Sequence, residues 1–368
     1  MEVAILGLGS RGRNYGKLIK KGCRISAICD IQAEKVNKLG KEWKVPENKR
    51  FFSSDEFFNA GKLCDGLVIA TQDSDHYEHA KKAIELGYNI LLEKPVSPNL
   101  NETLELRDLA KKAGVNIMVC HVLRYSPFYR KIKELVSSGV IGEPVTVKHS
   151  ENVSYWHFAH SFVRGNWRRE DLSSPVILAK CCHDMDLLYW YSGAKANSVS
   201  SLGSLKYFKK ENAPEGAAER CLDGCEYRSV CPYEAEAQYI GRRKGLFRAK
   251  KRFPWGTYAF STDTSKKAVH SALKTCLYGR CVFKCDNDVC DHQTLNMEME
   301  NGVKVDFTVD AFHNENFRHI EIYGTKGEII ADDRGSVIQL KVFGKRPKKI
   351  IVNLIPVKGH YGGDQGVI

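Results

Sequence analysis

From the N-terminus to about residue 122, short runs of consecutive apolar residues alternate with longer stretches in which apolar positions recur every three or four residues. The short runs predict strands at 3–6, 24–29, 66–70, 89–92 and 116–121; the longer stretches predict helices at 12–20, 32–43, 75–86 and 100–113. Leu67-Val-Ile-Ala70 and Ile90-Leu-Leu92 are apolar at every position, as strands covered on both faces must be. Strands and helices in alternation imply an α/β doubly wound domain on a parallel sheet.

Beyond a predicted helix at 127–138 the texture changes. Strand-like runs at 145–149, 294–300, 303–309, 319–323, 328–331 and 337–343 follow, several separated by the turn pairs Asn301-Gly302, Lys326-Gly327 and Arg334-Gly335. Hairpins in a largely antiparallel sheet are expected, and with them an α+β second domain. The expected division is residues 1–122 and 123–368, and a length of 368 suits two domains. Residues 210–265 are polar, basic and weakly periodic, and read as an insertion on the second sheet.

Composition narrows the class. With 43% hydrophobic and 27% charged residues, a disordered chain, a collagen and a coiled-coil rod are excluded. The net charge of +12 comes largely from two knots, Arg242 to Arg252 and Lys345 to Lys349. Phe247, Phe253 and Trp255 interleave with the first, the pattern of a nucleic-acid surface, but the rest of the chain is near neutral and a solvated insertion is the better reading. No nucleic-acid partner is expected. No apolar run approaches the roughly 18 residues of a membrane span, and the chain opens on a strand rather than a leader, so a cytoplasmic place away from membranes is expected. The thirteen cysteines then read as reduced thiols or metal ligands.

Gly7-Leu-Gly9-Ser10-Arg11-Gly12 follows the first strand and opens the first helix, and Asp30 ends the second strand. Glycines allow a tight turn and close approach of a pyrophosphate, whose charge meets backbone N–H groups and the helix N-terminus. A carboxylate at Asp30 suits two ribose hydroxyls and repels a 2′-phosphate, favouring NAD, although Arg11 and Arg13 leave NADP open.

At the carboxyl edge of the same sheet stands Leu92-Glu93-Lys94-Pro95. Together with the glycine loop, Ala70-Thr-Gln-Asp-Ser-Asp-His76 and Cys181-Cys-His183-Asp-Met-Asp186, it resembles the glucose-fructose oxidoreductase, inositol dehydrogenase and MocA family over the whole chain. The resemblance implies that Gly7, Gly9, Gly12 and Asp30 bind the dinucleotide, with Ser10 and Arg11 beside them. It further implies that Thr71 and His76 line the nicotinamide side, that Glu93 sits near the ribose and that Lys94 stands at the reaction centre. His183 matches the general base. Asp186, one turn along the same helix face, is expected to orient it. Arg124-Tyr125 and Arg164-Gly-Asn-Trp167-Arg168 look like segments folded over cofactor or sugar. Many relatives carry Asp four residues before the histidine; here Ala179 stands there, followed by Lys180, which is expected to meet a sugar hydroxyl near His183. A histidine with a pKa of about 6.5 suits removal of a hydroxyl proton, and Lys94 would hold the developing alkoxide.

Cys221-Leu-Asp-Gly-Cys225 and Cys231 give three thiols in a short span, with Cys281 the preferred fourth. A structural zinc is the first choice and an iron–sulfur cluster the second, against unliganded loop thiols. Asp286-Asn-Asp288 and Asp291-His292 either reach the sugar or cap turns.

The leading expectation is hydride transfer between NAD and a secondary hydroxyl of a sugar, polyol or glycoside. The same resemblance admits a glycosidase that oxidises its sugar transiently, and a non-catalytic NAD-binding sugar sensor. A homo-oligomer, dimer or tetramer, is expected from an open face of the second sheet. The terminal Gly359-His-Tyr-Gly-Gly-Asp364 stretch stands where relatives continue into a helix, so a last element is expected to be missing.

Overall fold

The computed structural model describes residues 1–241, 256–352 and 360–368. The basic knot at 242–252 with its aromatic residues, and Gly359, lie outside them.

The first domain is a six-stranded parallel sheet in the order β3-β2-β1-β4-β5-β6. Its strands are β1 (Glu2–Leu6), β2 (Arg24–Cys29), β3 (Arg50–Phe51), β4 (Gly66–Ile69), β5 (Asn89–Leu92) and β6 (Ile117–Val119). Helices α1 (Ser10–Ile19), α2 (Ala33–Glu42), α3 (Ser54–Asn59), α4 (His76–Glu85) and α5 (Leu100–Ala113) connect them. Apolar side chains on both sheet faces are buried, Ala4 and Leu6 in one cluster with Ile69 and Leu92, Val3 and Ile5 in another with Ile28 and Val68. Strand order reverses between β1 and β4, which opens a crevice at the carboxyl edge where such folds take ligands.

Helix α6 (Pro127–Ser137) leads into an eight-stranded sheet, order β14-β13-β12-β11-β7-β10-β9-β8. The strands are β7 (Pro144–Ser154), β8 (Ala196–Ser204), β9 (His292–Met299), β10 (Lys304–His313), β11 (Phe317–Gly324), β12 (Gly327–Asp332), β13 (Val337–Val342) and β14 (Lys348–Ile351). The β7–β10 pair is parallel and the other pairs antiparallel. Val147, Phe307, Ile320, Ile329 and Ile338 alternate onto the face packed against α6 and the helix Cys182–Ser192. The expected fold class is the observed one. Lys348 and Lys349 of the second basic knot lie exposed on edge strand β14, where lysines discourage further strand pairing.

The described residues between β8 and β9, 205–241 and 256–291, form a lobe with its own small core of Ala235, Tyr239, Val269, Leu273 and Tyr278. It touches the first domain: Lys38 donates to the carbonyl of Thr262 at 3.1 Å, and the Tyr258 ring lies 4.5 Å from the Arg13 guanidinium. The terminal residues 360–368 pack back onto the segment Val122–Tyr125, with Gly363 against the Val122 carbonyl.

Candidate functional site

Gly7 leaves β1 with φ +90°, and a Cβ there would collide with the backbone of Ala70 on the neighbouring β4. A Cβ at Gly12 would run into the Gly7 carbonyl. At Gly9 a Cβ would meet nothing within 4 Å, so the missing side chain opens free space over the start of α1. The Asp30 carboxylate accepts the Leu8 N–H at 2.7 Å and the Gln32 N–H at 2.8 Å, tying the end of β2 to the glycine turn. Backbone donors facing open space, with a carboxylate alongside, fit a dinucleotide.

Arg11 corrects an expectation. Its guanidinium does not face the open space but binds Glu93 at 2.6 Å, Asp364 at 3.0 and 3.1 Å, and the Tyr15 hydroxyl. Tyr15 in turn donates to Glu93 at 2.7 Å. Burial pushes the Glu93 carboxyl up, yet the charges of Arg11 and Lys94 hold it below the usual carboxylate range. Glu93 thereby stays ionised directly beneath Lys94.

His76 opens α4, is buried, and its Nδ1 meets the Pro95 carbonyl at 2.6 Å, bracing the Glu-Lys-Pro turn from below. Thr71 meets His79 Nδ1 at 3.1 Å. Asp73, from the same stretch, accepts the Trp167 indole N–H at 3.0 Å and the hydroxyls of Ser173 and Ser174 at 3.1 and 3.0 Å. Trp167 is therefore a fastener between the domains rather than a free lid.

His183 stands in the first turn of the helix Cys182–Ser192, 5% exposed. Its ring lies 5.9 Å from that of His121 and 5.8 Å from that of His360. Nδ1 is shut from solvent without a partner. Burial first, then the positive charge of Lys94, drives the imidazole pKa well below its ordinary value. Lys94 Nζ donates to the Ala179 carbonyl at 2.5 Å, fixing the ammonium to the segment that leads into His183.

Two proposed partners of His183 are engaged elsewhere. Asp186 does not orient the imidazole: both its oxygens take Arg124, at 2.7 and 2.8 Å, and Arg124 also stacks on Trp190. Three residues along a helix places Asp186 near the same face, but the fork of Arg124 outcompetes a neutral ring. Arg124 is thereby committed to protein, not to a cofactor. Lys180 Nζ binds Glu151 at 2.5 Å, inside a buried group in which Arg318 bridges Glu151 and Asp184 and His149 meets Asp184 at 2.6 Å. The carboxylate missing at Ala179 has no substitute in Lys180. Asp286 pairs with Arg168 and Arg280, and Asp291 accepts the backbone N–H groups of Lys206 and Tyr207, so both are structural.

Arg164 is fully buried against the lobe, where it donates to the Arg280 and Tyr233 carbonyls rather than covering the cofactor. It lines a cavity of about 20 Å³ shared by Cys221, Cys225, Cys231 and Cys281. All four thiols line this one cavity, but among the described residues no three of them form a group closed around a metal position.

His121, His360, Asp364 and Tyr15 were not singled out from the sequence. The His-Tyr-Gly-Gly-Asp run carried the signal for two of them: His360 and Asp364 are four apart, and His360 Nδ1 meets Asp364 at 2.8 Å. The last described element is thus part of the site's wall.

Residues 1–121 match the oxidoreductase family's NAD-binding Rossmann fold, and residues 133–346 match its C-terminal alpha/beta domain. The chain is 28% identical over 210 residues to the uncharacterized oxidoreductase YrbE of Bacillus subtilis, covering 54% of this chain and 56% of that protein. It is 26% identical over 239 residues to the inositol 2-dehydrogenase of Leifsonia xyli, covering 62% and 63%. The chain spans less than two thirds of the length of these relatives. In fold it is similar to an oxidoreductase from Agrobacterium radiobacter solved with NAD+, L-tartaric acid and magnesium, with TM-score 0.67, 16% identity, and coverage of 100% of this chain and 85% of that one. UDP-N-acetylglucosamine 3-dehydrogenase from Acidithiobacillus ferrooxidans is similar too, with TM-score 0.63, 16% identity, and coverage of 96% and 83%. With both of its domains matched, the chain belongs to the Gfo/Idh/MocA oxidoreductase family.

Proposed function

We propose that the protein is a cytoplasmic, NAD-dependent oxidoreductase that moves a hydride between nicotinamide and a secondary hydroxyl of a sugar, polyol or glycoside. The observation that carries this reading is His183, a buried imidazole held neutral beside the Lys94 ammonium with no protein hydrogen bond among the described residues. Such a group is idle as structure and suited to a ligand's proton.

Bound nicotinamide supplies the hydride acceptor. His183 takes the hydroxyl proton. Lys94 spends one of its three donors on Ala179 and keeps two to hold the alkoxide oxygen. Glu93, ionised under Lys94, sets a negative charge beside the ammonium. Lys180 braces the approach to His183 through Glu151 and takes no part in proton transfer. Asp30 favours NAD over NADP because a 2′-phosphate would approach a carboxylate, and Arg11 is already committed to Glu93 and Asp364. Self-association is assigned to the sheet face carrying Lys148, Ser150, Asp306 and Glu321 around a 270 Å³ depression, which the helices leave uncovered.

The test incubates the protein and a Lys94→Ala variant with NAD and a panel of free sugars, polyols and aryl glycosides. Reduced nicotinamide and released aglycone are followed in parallel. Reduced nicotinamide from the wild type alone supports the proposal. Aglycone release without net reduction replaces it with transient oxidation, and a wild type no better than the variant on every substrate removes the role of Lys94.

A further inference from the structure

Cys221 and Cys281 are 60 positions apart yet adjacent in space. The segments around them form an antiparallel bridge at Arg220 and Arg280, in which Cys221 N–H donates to the Gly279 carbonyl at 3.0 Å and Cys281 N–H to the Glu219 carbonyl at 2.9 Å. Both side chains leave the bridge on one side, because residues two apart on paired strands share a face. Gly224, with φ +76°, turns the chain so that Cys225 returns toward Cys221, and a helical turn through Glu226–Ser229 brings Cys231 back over it. All four thiols line the same cavity of about 20 Å³.

Arg164 is the second, independent observation. Its side chain is fully buried, and among the described residues its guanidinium meets no carboxylate. It donates to the carbonyls of Arg280 and Tyr233 at 2.7 Å each, to the Gln238 amide oxygen at 3.3 Å, and to Cys221 Sγ at 3.6 Å. A buried cation without a counter-charge costs several kcal/mol. The polar groups around it supply dipoles; the buried Glu234 carboxylate in the same cavity wall is paired with Arg228, which leaves the sulfurs as a place for negative charge beside Arg164.

We propose that Cys221, Cys225, Cys231 and Cys281 hold one structural zinc ion, with Arg164 as its buried counter-charge. Binding releases the four thiol protons to solvent, and four thiolates on Zn²⁺ leave a net charge of −2 beside the guanidinium. Among the described residues no three ligating side chains are already closed around a point. Binding a tetrahedral ion therefore requires the four thiols to draw together. The ion would pin the lobe that carries Tyr258 and Thr262 against α1 and α2, beside the dinucleotide edge.

The full-length protein, purified under reductant and without chelator, is expected to contain about one zinc per chain by elemental analysis. Cys231→Ser and Cys281→Ser each lower that content at least about tenfold, whereas Cys23→Ser leaves it unchanged. Cobalt added to zinc-stripped wild type gives the sulfur-to-metal charge-transfer and intense ligand-field bands of a tetrahedral tetrathiolate, a readout that does not depend on any variant folding. Substoichiometric zinc after zinc exposure and dialysis, stoichiometric iron in place of zinc, or absence of the cobalt bands overturns the proposal.

Discussion

The Lys94 ammonium and the Ala179 carbonyl oxygen are 2.5 Å apart, which anchors the charge of the first domain's Glu-Lys-Pro turn to the backbone that delivers His183 from the second. That charge and burial both depress the His183 pKa. A base with a depressed pKa stays deprotonated to lower pH, so the acid limb of kcat/KM is expected to fall below pH 6.5. Lys94→Gln removes the charge, raises the His183 pKa and moves the limb toward higher pH, while lowering kcat by about 10²- to 10³-fold. A half-maximal point at or above 6.5 in the wild type speaks against His183 as the base.

Asp186→Asn tests the corrected partnership. Because Arg124 takes both Asp186 oxygens, this variant is expected to lose stability without moving the pH profile. A shift of the acid limb by about a unit would restore Asp186 as the group orienting His183.

Asp30 holds the glycine turn and faces the place of a ribose. In Asp30→Ala the ratio of NAD to NADP affinity is expected to fall by about tenfold or more, read by fluorescence titration with both reduced cofactors. An unchanged ratio would move the discrimination elsewhere, with Arg13 on Tyr258 the next group to examine.

Asp364 accepts from Arg11, from Asn14 at 2.8 Å and from His360, and is nearly buried. Asp364→Ala should cost about 2–3 kcal/mol of unfolding free energy, since it leaves those donors unmatched. Asp108→Ala, removing the exposed pair with Arg107, should stay within about 0.5 kcal/mol. Equal denaturant midpoints for the two variants would show that the terminal segment does not stabilise the first domain.

Hydrophobic periodicity revealed the parallel sheet because β4 and β5 must be apolar on both faces. It missed β8, whose residues are exposed throughout and rich in serine, and the two-residue β3, too short for any period. The glycine turn, Lys94 and His183 were legible because each is forced by local geometry next to a strand end or a helix start. The partners of Asp186, Lys180 and Arg11 were not, since they are set by Arg124, Glu151 and Asp364, which reach them across 29 or more positions of chain. Spacing along one helix describes what two side chains can reach; competition from a distant guanidinium decides what they do.

Stability against acid follows from the same histidines. His79, His121, His160, His183 and His360 all have pKa values lowered chiefly by burial, so the folded protein holds them neutral where the unfolded chain protonates near pH 6.5. The unfolded state then binds more protons as pH falls through 6.5, and folding loses free energy, up to about 1.4 kcal/mol per fully neutral histidine between pH 7.5 and 5.5. Asp333 acts in the opposite sense: burial raises its pKa to about 6, so its protonation below that point returns part of the loss. Several histidines outweigh one carboxyl, and the thermal midpoint is expected to drop from pH 7.5 to 5.5. His160→Phe, which removes one buried imidazole remote from Lys94, should flatten that drop. A midpoint that is level or rises across the interval would mean that these rings are protonated in the folded state, and with them the assignment of His183 as a neutral base would fall.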